Sequence, residues 1–153
     1  MSKIEKAIFT NICLIYDDND NILVLDRKKE TWPGITFPGG HVEKDEPFLT
    51  SIIREVKEET NLDISDVKLC GITQWTPLCG ARYIVLMYKT NKFTGVLKDS
   101  NEGHLFWINK NDLQKYKLSD DLLEMFEVMS NDELSEFFSL RVENEKELLK
   151  KLL

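Results

Sequence analysis

Residues 40–62 read GHVEKDEPFLTSIIREVKEETNL, and the charge pattern of this segment decides the fold. Glu55, Glu58 and Glu59 are spaced so that a helix places all three carboxylates on one face, about 100° wide. Like charges at these offsets destabilise a helix, and a bound cation would offset that cost. Carboxylate oxygens with room for waters and a phosphate suit Mg²⁺. The segment therefore predicts metal-assisted chemistry on a phosphate-bearing substrate.

The same segment resembles the Nudix box, G-x5-E-x7-R-E-U-x-E-E-x-G-U, in which U is a bulky apolar residue. Every defined position matches except Asn61, which stands where the family has glycine. That glycine ends the helix in a left-handed conformation, which asparagine also tolerates. The resemblance implies an α/β (α+β) fold, namely an α/β/α sandwich with a mixed β-sheet between helices. It also implies that residues 1–153 form a single Nudix hydrolase domain.

Length, charge and composition restrict the class of protein. A chain of 153 residues predicts one domain with one core. The net charge of −7 argues against a nucleic-acid polymer as partner, because such polymers bind basic surfaces, but a small nucleotide remains compatible. No apolar run approaches the roughly 20 residues of a membrane span, and the N-terminus lacks the apolar stretch of a secretory signal. We therefore expect no membrane partner, a cytoplasmic location, and either a monomer or a homodimer.

The cysteines Cys13, Cys70 and Cys79 are odd in number and have no metal-type spacing. We interpret them as reduced thiols, which agrees with a cytoplasmic protein.

Hydrophobic periodicity predicts strands on both sides of the box helix. The predicted strands cover residues 7–16, 22–25, 69–75, 83–89 and 105–108. The acidic turn at 17–21 lacks the central Gly and distal Glu of a calcium loop, so we interpret it as a solvated hairpin. Residues 32–40 are expected to form an irregular loop with a short strand, and residues 109–114 a connector with a helical turn.

Two helical regions are predicted. The box helix is expected to begin at Pro47, since proline favours the first helical position, with Glu46 as its cap. Its apolar positions form a stripe that we expect to line the core: Phe48, Leu49, Ile52, Ile53 and Val56. From Ser119 the period is helical, and it predicts a C-terminal helical extension at about 131–153. That extension is expected to pack on the parent domain, with a membrane surface or a partner helix as alternatives.

The resemblance assigns the metal site to the carbonyl of one residue and the carboxylates of three others: Gly39, Glu55, Glu58 and Glu59. The ion it implies is Mg²⁺, with Mn²⁺ as an alternative. From the residues alone, a solvated acidic helix face and a plain glycine turn remain open. Arg54 is expected to orient a box carboxylate through charge-assisted hydrogen bonds, or to contact a phosphate. Gly40 and Glu46 are expected to be structural, with Glu46 joining the loop to the start of the helix.

A hydrolase also needs a base for the attacking water. Within the box, Glu55 or Glu58 could serve. Outside it, Glu102 lies just before a strand, where several Nudix members carry an extra carboxylate; the alternative is an ordinary turn residue. The two histidines, His41 and His104, have no neighbouring motif, and a structural role is the simpler interpretation of each.

Substrate contacts are predicted from chemistry and position. Arg27 or Lys28, at the end of the second strand, would contact a phosphate, as a basic residue does at a corresponding place in the MutT branch; a charged strand end is the alternative. A purine needs a slot with aromatic faces and a few hydrogen-bonding groups. The candidates for this slot are Trp32, Trp75 and Tyr83 for stacking, and Asn11 for an amide contact. Each could instead be packed in the core, as we expect for Trp107.

Three segments outside the box, at 32–43, 71–75 and 82–89, resemble bacterial MutT-type 8-oxo-dGTP diphosphatases. That resemblance implies hydrolysis of 8-oxo-dGTP to 8-oxo-dGMP and pyrophosphate, a nucleotide-pool function that supports DNA repair. A different Nudix substrate remains open, such as a dinucleoside polyphosphate, a nucleotide sugar or capped RNA. A non-catalytic nucleotide-binding domain is the other alternative, although the complete set of box carboxylates favours an enzyme.

Overall fold

The computed structural model of the protein describes residues 3–77, 80–141 and 148–153. The helices in these residues are α1 (Phe48–Thr60), α2 (Leu122–Ser130) and a short 3-10 helix (Lys110–Lys115). The strands are β1 (Ala7–Ile15), β2 (Asn21–Arg27), β3 (Gly34–Thr36), β4 (Asp63–Ser65), β5 (Lys68–Trp75), β6 (Arg82–Thr90), β7 (Lys92–Thr94), β8 (Gly103–Asn109), β9 (Glu136–Arg141) and β10 (Leu148–Leu152).

A five-stranded mixed sheet, in the order β1-β6-β5-β9-β10, forms the centre of the fold. The pairs β1–β6 and β5–β9 are parallel, whereas β5–β6 and β9–β10 are antiparallel. Successive side chains of a strand point to opposite faces. Accordingly, Cys13 and Ile15 of β1 pack in the cluster that contains α1 residues, while Leu14 packs in the cluster that contains α2 residues. The helices cover opposite faces, and the predicted mixed sheet between helices is confirmed.

Two smaller sheets, β3-β2-β8 and β4-β7, complete the fold. In the acidic turn between β1 and β2, the carboxylate of Asp17 accepts two backbone N–H groups at 2.8 and 2.9 Å. The turn has the expected form, but β2 leaves β1 after a single bridge between Tyr16 and Ile22 and pairs with β3 and β8. Because Arg27 of β2 is paired with Gly103 of β8, the loop after β2 and the loop before β8 lie at the same end of this sheet.

The box helix begins one residue later than predicted. Pro47 is the N-cap residue and no side chain caps the helix, so Glu46 is not the predicted cap. Its carboxylate instead accepts the N–H of Glu43 and the guanidinium of Arg54. At the other end, Asn61 has a φ of 65°, which confirms the left-handed helix end expected at this position.

The apolar stripe of α1 is only partly buried, which corrects the sequence-based expectation. Ile52 and Val56 are fully buried, but Phe48, Leu49 and Ile53 are 44%, 48% and 37% exposed. A hydrophobic stripe indicates which side of a helix faces the core, and in this helix only the centre of the stripe is buried.

The predicted C-terminal helical extension at about 131–153 is wrong. The chain there forms the antiparallel strands β9 and β10, which extend the central sheet beyond β5. Phe137 and Ser139 are buried while Leu140 is 40% exposed, which is the two-residue period of a strand with one covered face. Adjacent phenylalanines at 137 and 138 allowed either period in the sequence, and pairing with β5 selects the strand. Residues 142–147 lie outside the described residues.

Two remaining expectations concern the thiols and the membrane. Cys13 and Cys70 are free, and burial raises the pKa of both thiols, that of Cys70 to about 11. Cys79 lies outside the described residues. In the part of the chain that the structure describes, no helix combines the length and apolar character needed to cross a membrane.

Candidate active site

The loop at residues 37–41 runs along β1 and is fixed there by backbone and side-chain hydrogen bonds. The N–H of Asn11 donates to the carbonyl of Gly40 at 2.8 Å, and the N–H of Gly40 donates to Oδ1 of Asn11 at 3.0 Å. A Cβ on Gly39 would lie 2.0 Å from the carbonyl oxygen of Asn11. Only glycine can follow β1 this closely, so the backbone of the loop lies directly against this strand.

Asn11 supports this loop from inside the protein. It is 2% exposed, and its Nδ2 donates to the hydroxyl of Ser51 on α1 at 2.9 Å. The amide therefore joins β1, the loop and the helix, and does not face a ligand as the sequence suggested. A polar residue in a strand predicts a ligand contact, but both polar atoms of this buried amide are satisfied by hydrogen bonds within the chain. Ser51 was missed, because nothing in its sequence context distinguishes it from a helix-surface serine.

Glu59 is the buried carboxyl group of the box. It is 8% exposed, and its Oε2 accepts the N–H of Gly39 at 3.0 Å. Burial raises the pKa of Glu59 to about 8; the Gly39 hydrogen bond and the charge of Arg27 oppose this rise, and the charges of Glu55 and Glu102 add to it. These charges therefore lie within electrostatic reach of one carboxyl group, at the point where the glycine loop meets the helix.

Arg54 connects the other box carboxylates. It donates to both oxygens of Glu46 at 2.7 and 3.0 Å, to Glu55 at 3.0 Å and to Glu58 at 3.2 Å. The hydrogen bonds from Arg54 lower the pKa of Glu46 to about 2, and those to Glu46 raise the pKa of Arg54. The pKa of Glu55 is raised chiefly by burial, against the effect of Arg54. A Cβ on Gly40 would lie 2.3 Å from Oε2 of Glu55, so the glycine makes room for this carboxylate.

The chemistry of these groups fits a hard divalent cation. The three box carboxylates and the Gly39 carbonyl form an all-oxygen donor set, which suits Mg²⁺ or Mn²⁺. Among the described residues, no group of three His, Cys, Asp or Glu side chains is arranged as a finished metal site. The reason is visible in the contacts: Glu55 and Glu58 point to Arg54, while Glu59 points to the loop. A cation would share Glu55 and Glu58 with Arg54.

The loops that follow β2 and precede β8 bring further charges to this site. Arg27 and Glu102 both act on the pKa of Glu59, which places them on the same side of the fold as the box. The ammonium group of Lys29 contacts the carboxylate of Glu102 at 2.6 Å. The N–H of Lys28 donates to the carbonyl of Glu102 at 3.1 Å. The sequence does not predict Lys29 as a site residue. Its one distinguishing feature there is that it follows two other basic residues, Arg27 and Lys28.

The remaining polar candidates are Lys28 and the two histidines. The charge of Lys28 acts on Asp99, whose pKa is lowered mainly by a hydrogen bond with His104 at 2.8 Å. His104 is exposed and stacks on Phe106. His41 contributes its carbonyl, which accepts a hydrogen bond from Arg54 at 3.1 Å, while the residue itself is exposed.

The three aromatic candidates form one cluster. The rings of Trp75 and Tyr83 stack with centroids 4.5 Å apart, and Trp32 lies 5.7 and 5.9 Å from them. Trp32 is 42% exposed, so one side of the cluster faces solvent. The charge of Arg27 acts on the pKa of Tyr83, which burial raises, and also on that of Glu59, so the same arginine lies within electrostatic reach of this cluster and of the box. Trp107 packs separately against Phe93, with centroids 5.3 Å apart.

Comparisons with known proteins agree with this arrangement. A family model for the NUDIX domain matches residues 9–146. YvcI, an uncharacterized Nudix hydrolase of Bacillus subtilis, is 29% identical over 112 residues, which are 70% of this chain and 69% of YvcI. The NAD-capped RNA hydrolase NudC of Mycobacterium tuberculosis is 35% identical over 66 residues, which are 42% of this chain and 20% of NudC.

Solved structures extend the similarity to the whole fold. A MutT protein from Bacillus halodurans aligns with a TM-score of 0.78 at 24% identity, covering 95% of this chain and 97% of that one. The NUDIX domain of NrtR from Shewanella oneidensis, solved with ADP ribose, aligns with a TM-score of 0.67 at 15% identity and covers 84% and 88% of the two chains. At these sequence identities, the structural similarity establishes a shared fold and nothing more specific. Because the family model covers most of its length, this chain belongs to the Nudix hydrolases, enzymes that generally use divalent metal ions and act on nucleoside diphosphate derivatives.

Proposed function

We propose that the protein is a Mg²⁺-dependent pyrophosphohydrolase of a purine nucleoside triphosphate, with 8-oxo-dGTP as substrate and 8-oxo-dGMP and pyrophosphate as products. The observation that supports this is the position of Arg27. Its charge acts both on Glu59 and on Tyr83, so a phosphate chain bound by Arg27 would lie near the box carboxylates and within reach of the aromatic cluster. The cellular role would be the removal of oxidised nucleotides from the cytoplasmic pool, which protects DNA.

The chain's own residues supply binding, orientation and proton transfer in this proposal. Glu59 is oriented by the N–H of Gly39, and Glu55 by Arg54. Glu102 would accept the proton of the attacking water, with its carboxylate oriented by Lys29 at 2.6 Å. Bound Mg²⁺ would supply charge neutralisation at the phosphates and a lower pKa for a coordinated water.

The substrate would span two chemically different surfaces. Arg27 would pair with phosphate oxygens through its planar guanidinium. Trp32, Trp75 and Tyr83 would present aromatic faces to the purine, where the exposed side of Trp32 is the accessible one. Lys28 would add positive charge for the outer phosphates.

A second candidate is hydrolysis of a nucleoside diphosphate joined to a further group, such as NAD-capped RNA or ADP ribose. The 35% identity with NudC over 66 residues favours it, and ADP ribose occupies the NrtR domain of the same fold. An aromatic cluster accepts an adenine as readily as a modified guanine, so experiment must decide between the two substrates.

The test is turnover of 8-oxo-dGTP against dGTP, ADP ribose, a dinucleoside polyphosphate and NAD-capped RNA, each with Mg²⁺ and with Mn²⁺. Products are identified in ¹⁸O-water, which reports the attacked phosphorus. Preference for 8-oxo-dGTP over dGTP, with pyrophosphate as product, supports the first proposal. Preference for a capped or sugar-linked diphosphate supports the second. Binding without turnover of any compound would contradict both.

A further inference from the structure

The box helix α1 has two exposed flanks of opposite character. Ile53 lies six residues before Glu59, and thus about 120° from it around the helix axis, with Val56 midway. Leu49 has the same relation to Glu55. Val56 is fully buried, whereas Leu49 and Ile53 are 48% and 37% exposed. The carboxylates and the exposed apolar side chains therefore lie on opposite sides of the buried centre of the helix.

The apolar flank of α1 lies over the central sheet. The carboxylate flank faces the loop at residues 37–41, which lies beyond the edge strand β1, as the hydrogen bond from Gly39 to Glu59 demonstrates. The opposite flank must then point toward the inner strands β6 and β5. At the start of the helix, Phe48 is 44% exposed and its ring lies 5.3 Å from that of Phe9 on β1, itself 37% exposed.

The sheet continues this apolar surface. Directly paired residues on neighbouring strands share a face, and the register joins one residue from each strand of the sheet: Phe9, Ile84, Gln74, Phe138 and Lys151. Leu140 and Leu149 lie two residues from the last two and are paired with each other, so they share this face. They are 40% and 44% exposed. Since α2 covers the other face of the sheet, both leucines lie on the same side as α1.

Six exposed side chains thus form what we call the apolar face: Phe9, Phe48, Leu49, Ile53, Leu140 and Leu149. We propose that the apolar face is the interface of a homodimer, in which two copies of this chain meet about a twofold axis. A twofold interface uses one surface patch on both copies, and it would join α1 and the β9–β10 hairpin of one copy to the same elements of the other.

The area of the apolar face matches what a stable dimer needs. The six side chains, each 37–48% exposed, leave roughly 450 Å² of apolar surface in contact with water. A standard interface buries about 800 Å² on each partner, of which roughly 450 Å² is apolar. The apolar face therefore supplies the complete apolar share of such an interface, with its polar surroundings as the rim.

Charge also favours a second copy as the occupant. The chain carries a net charge of −7, so most contacts between two copies bring like charges together. The six residues of the apolar face are uncharged. Two polar side chains of the same face are already paired inside the chain, since Gln74 donates to Glu136 at 2.6 Å and Arg82 to Glu5 at 2.9 Å. Lys151 also lies on this face and is exposed, and we place it in the polar rim. Desolvating groups that keep their hydrogen bonds costs little.

The test is the molar mass of the full chain, measured by light scattering and by sedimentation over a wide range of concentration. The variants are Leu49→Glu on α1 and Leu149→Glu on β10. The matched control is Leu123→Glu on α2, a residue that is 40% exposed on the other side of the sheet. Circular dichroism and thermal melting confirm that each variant is folded.

We expect the mass of two chains for the wild type and for the Leu123 variant. Each apolar-face variant should raise the dimer dissociation constant by more than about a hundredfold, because the twofold axis buries two unpaired carboxylates for every substitution. A wild type with the mass of one chain at every concentration would overturn the proposal and leave the apolar face to a different protein. A dimer that survives both apolar-face substitutions would also overturn it, because the interface would lie elsewhere.

Discussion

Replacing Glu59 by glutamine separates the cost of burying this carboxyl group from its role in binding a cation. The group is 8% exposed, and burial raises its pKa from 4.5 to about 8. Between these values the unfolded chain releases a proton that the folded, metal-free protein retains, so stability falls as pH rises through this window. At pH 7 the carboxyl group costs the folded protein about 3 kcal/mol relative to a group that does not ionise.

Glutamine keeps the volume of the side chain and an oxygen that can accept the N–H of Gly39. We therefore expect the metal-free Glu59→Gln variant to be more stable than the wild type by about 2–3 kcal/mol at pH 7, with a melting temperature higher by roughly 4–10 °C. Near pH 4 the difference should vanish, because Glu59 is then protonated in both states. The assay is urea and thermal unfolding in a chelator at both pH values.

Addition of Mg²⁺ should reverse the order. The wild type gains stability by mass action when it binds the ion, whereas the variant gains little and loses nearly all turnover. Glu58→Gln is the matched control for stability, since the Glu58 side chain is 59% exposed and its substitution should change stability by less than about 0.5 kcal/mol. A Glu59 variant that is less stable than the wild type at both pH values in chelator would refute the burial argument. Wild-type turnover would refute the ligand assignment.

Three further substitutions test the rest of the site. Glu102→Gln should lower kcat by about a hundredfold at saturating Mg²⁺ and substrate, measured by steady-state kinetics; an unchanged kcat would assign the base to the box. Gly39→Ala should lower the free energy of unfolding by about 3 kcal/mol, because its Cβ would lie 2.0 Å from the carbonyl oxygen of Asn11; a wild-type urea midpoint would mean that the loop moves without cost. Trp32→Ala should raise KM for a purine nucleotide by about tenfold and leave kcat within a factor of about three, whereas unchanged kinetics would remove Trp32 from the substrate site.

The box was predictable because its information is local. Fixed spacings on one helix determine which side chains share a flank, whatever the rest of the fold does. The left-handed conformation of Asn61 follows from the same kind of local rule. The aromatic candidates Trp32, Trp75 and Tyr83 come together because Trp75 and Tyr83 are paired residues of two predicted strands.

The C-terminal strands were not predictable in this way, because β9 is stabilised by pairing with residues of β5 that lie 64 positions earlier in the chain. Its apolar residues fit both a helix and a strand, and the choice depends on the free edge of β5, where Gln74 pairs with Phe138. Where a hydrophobic pattern fits both the helical and the strand period, tertiary contacts determine which of the two elements forms. Asn11 illustrates the same limit for polar groups: its amide chemistry was evident, but only the fold reveals that Gly40 and Ser51 take up its hydrogen bonds.

The charge of the box is balanced in two different ways without a metal, and this division explains its geometry. The single positive charge of Arg54 offsets part of the negative charge of Glu55 and Glu58, and the guanidinium is itself fixed by two hydrogen bonds to Glu46. Glu59 has no such partner among its hydrogen bonds in the described residues, only the N–H of Gly39, and burial raises its pKa to about 8, which favours the protonated form at neutral pH. A divalent cation would therefore bring two effects at once: it would ionise Glu59 and draw Glu55 and Glu58 partly away from Arg54. Glu46 would still accept two hydrogen bonds from the guanidinium. Arg54 would therefore keep its position on the helix while it shares Glu55 and Glu58 with the cation.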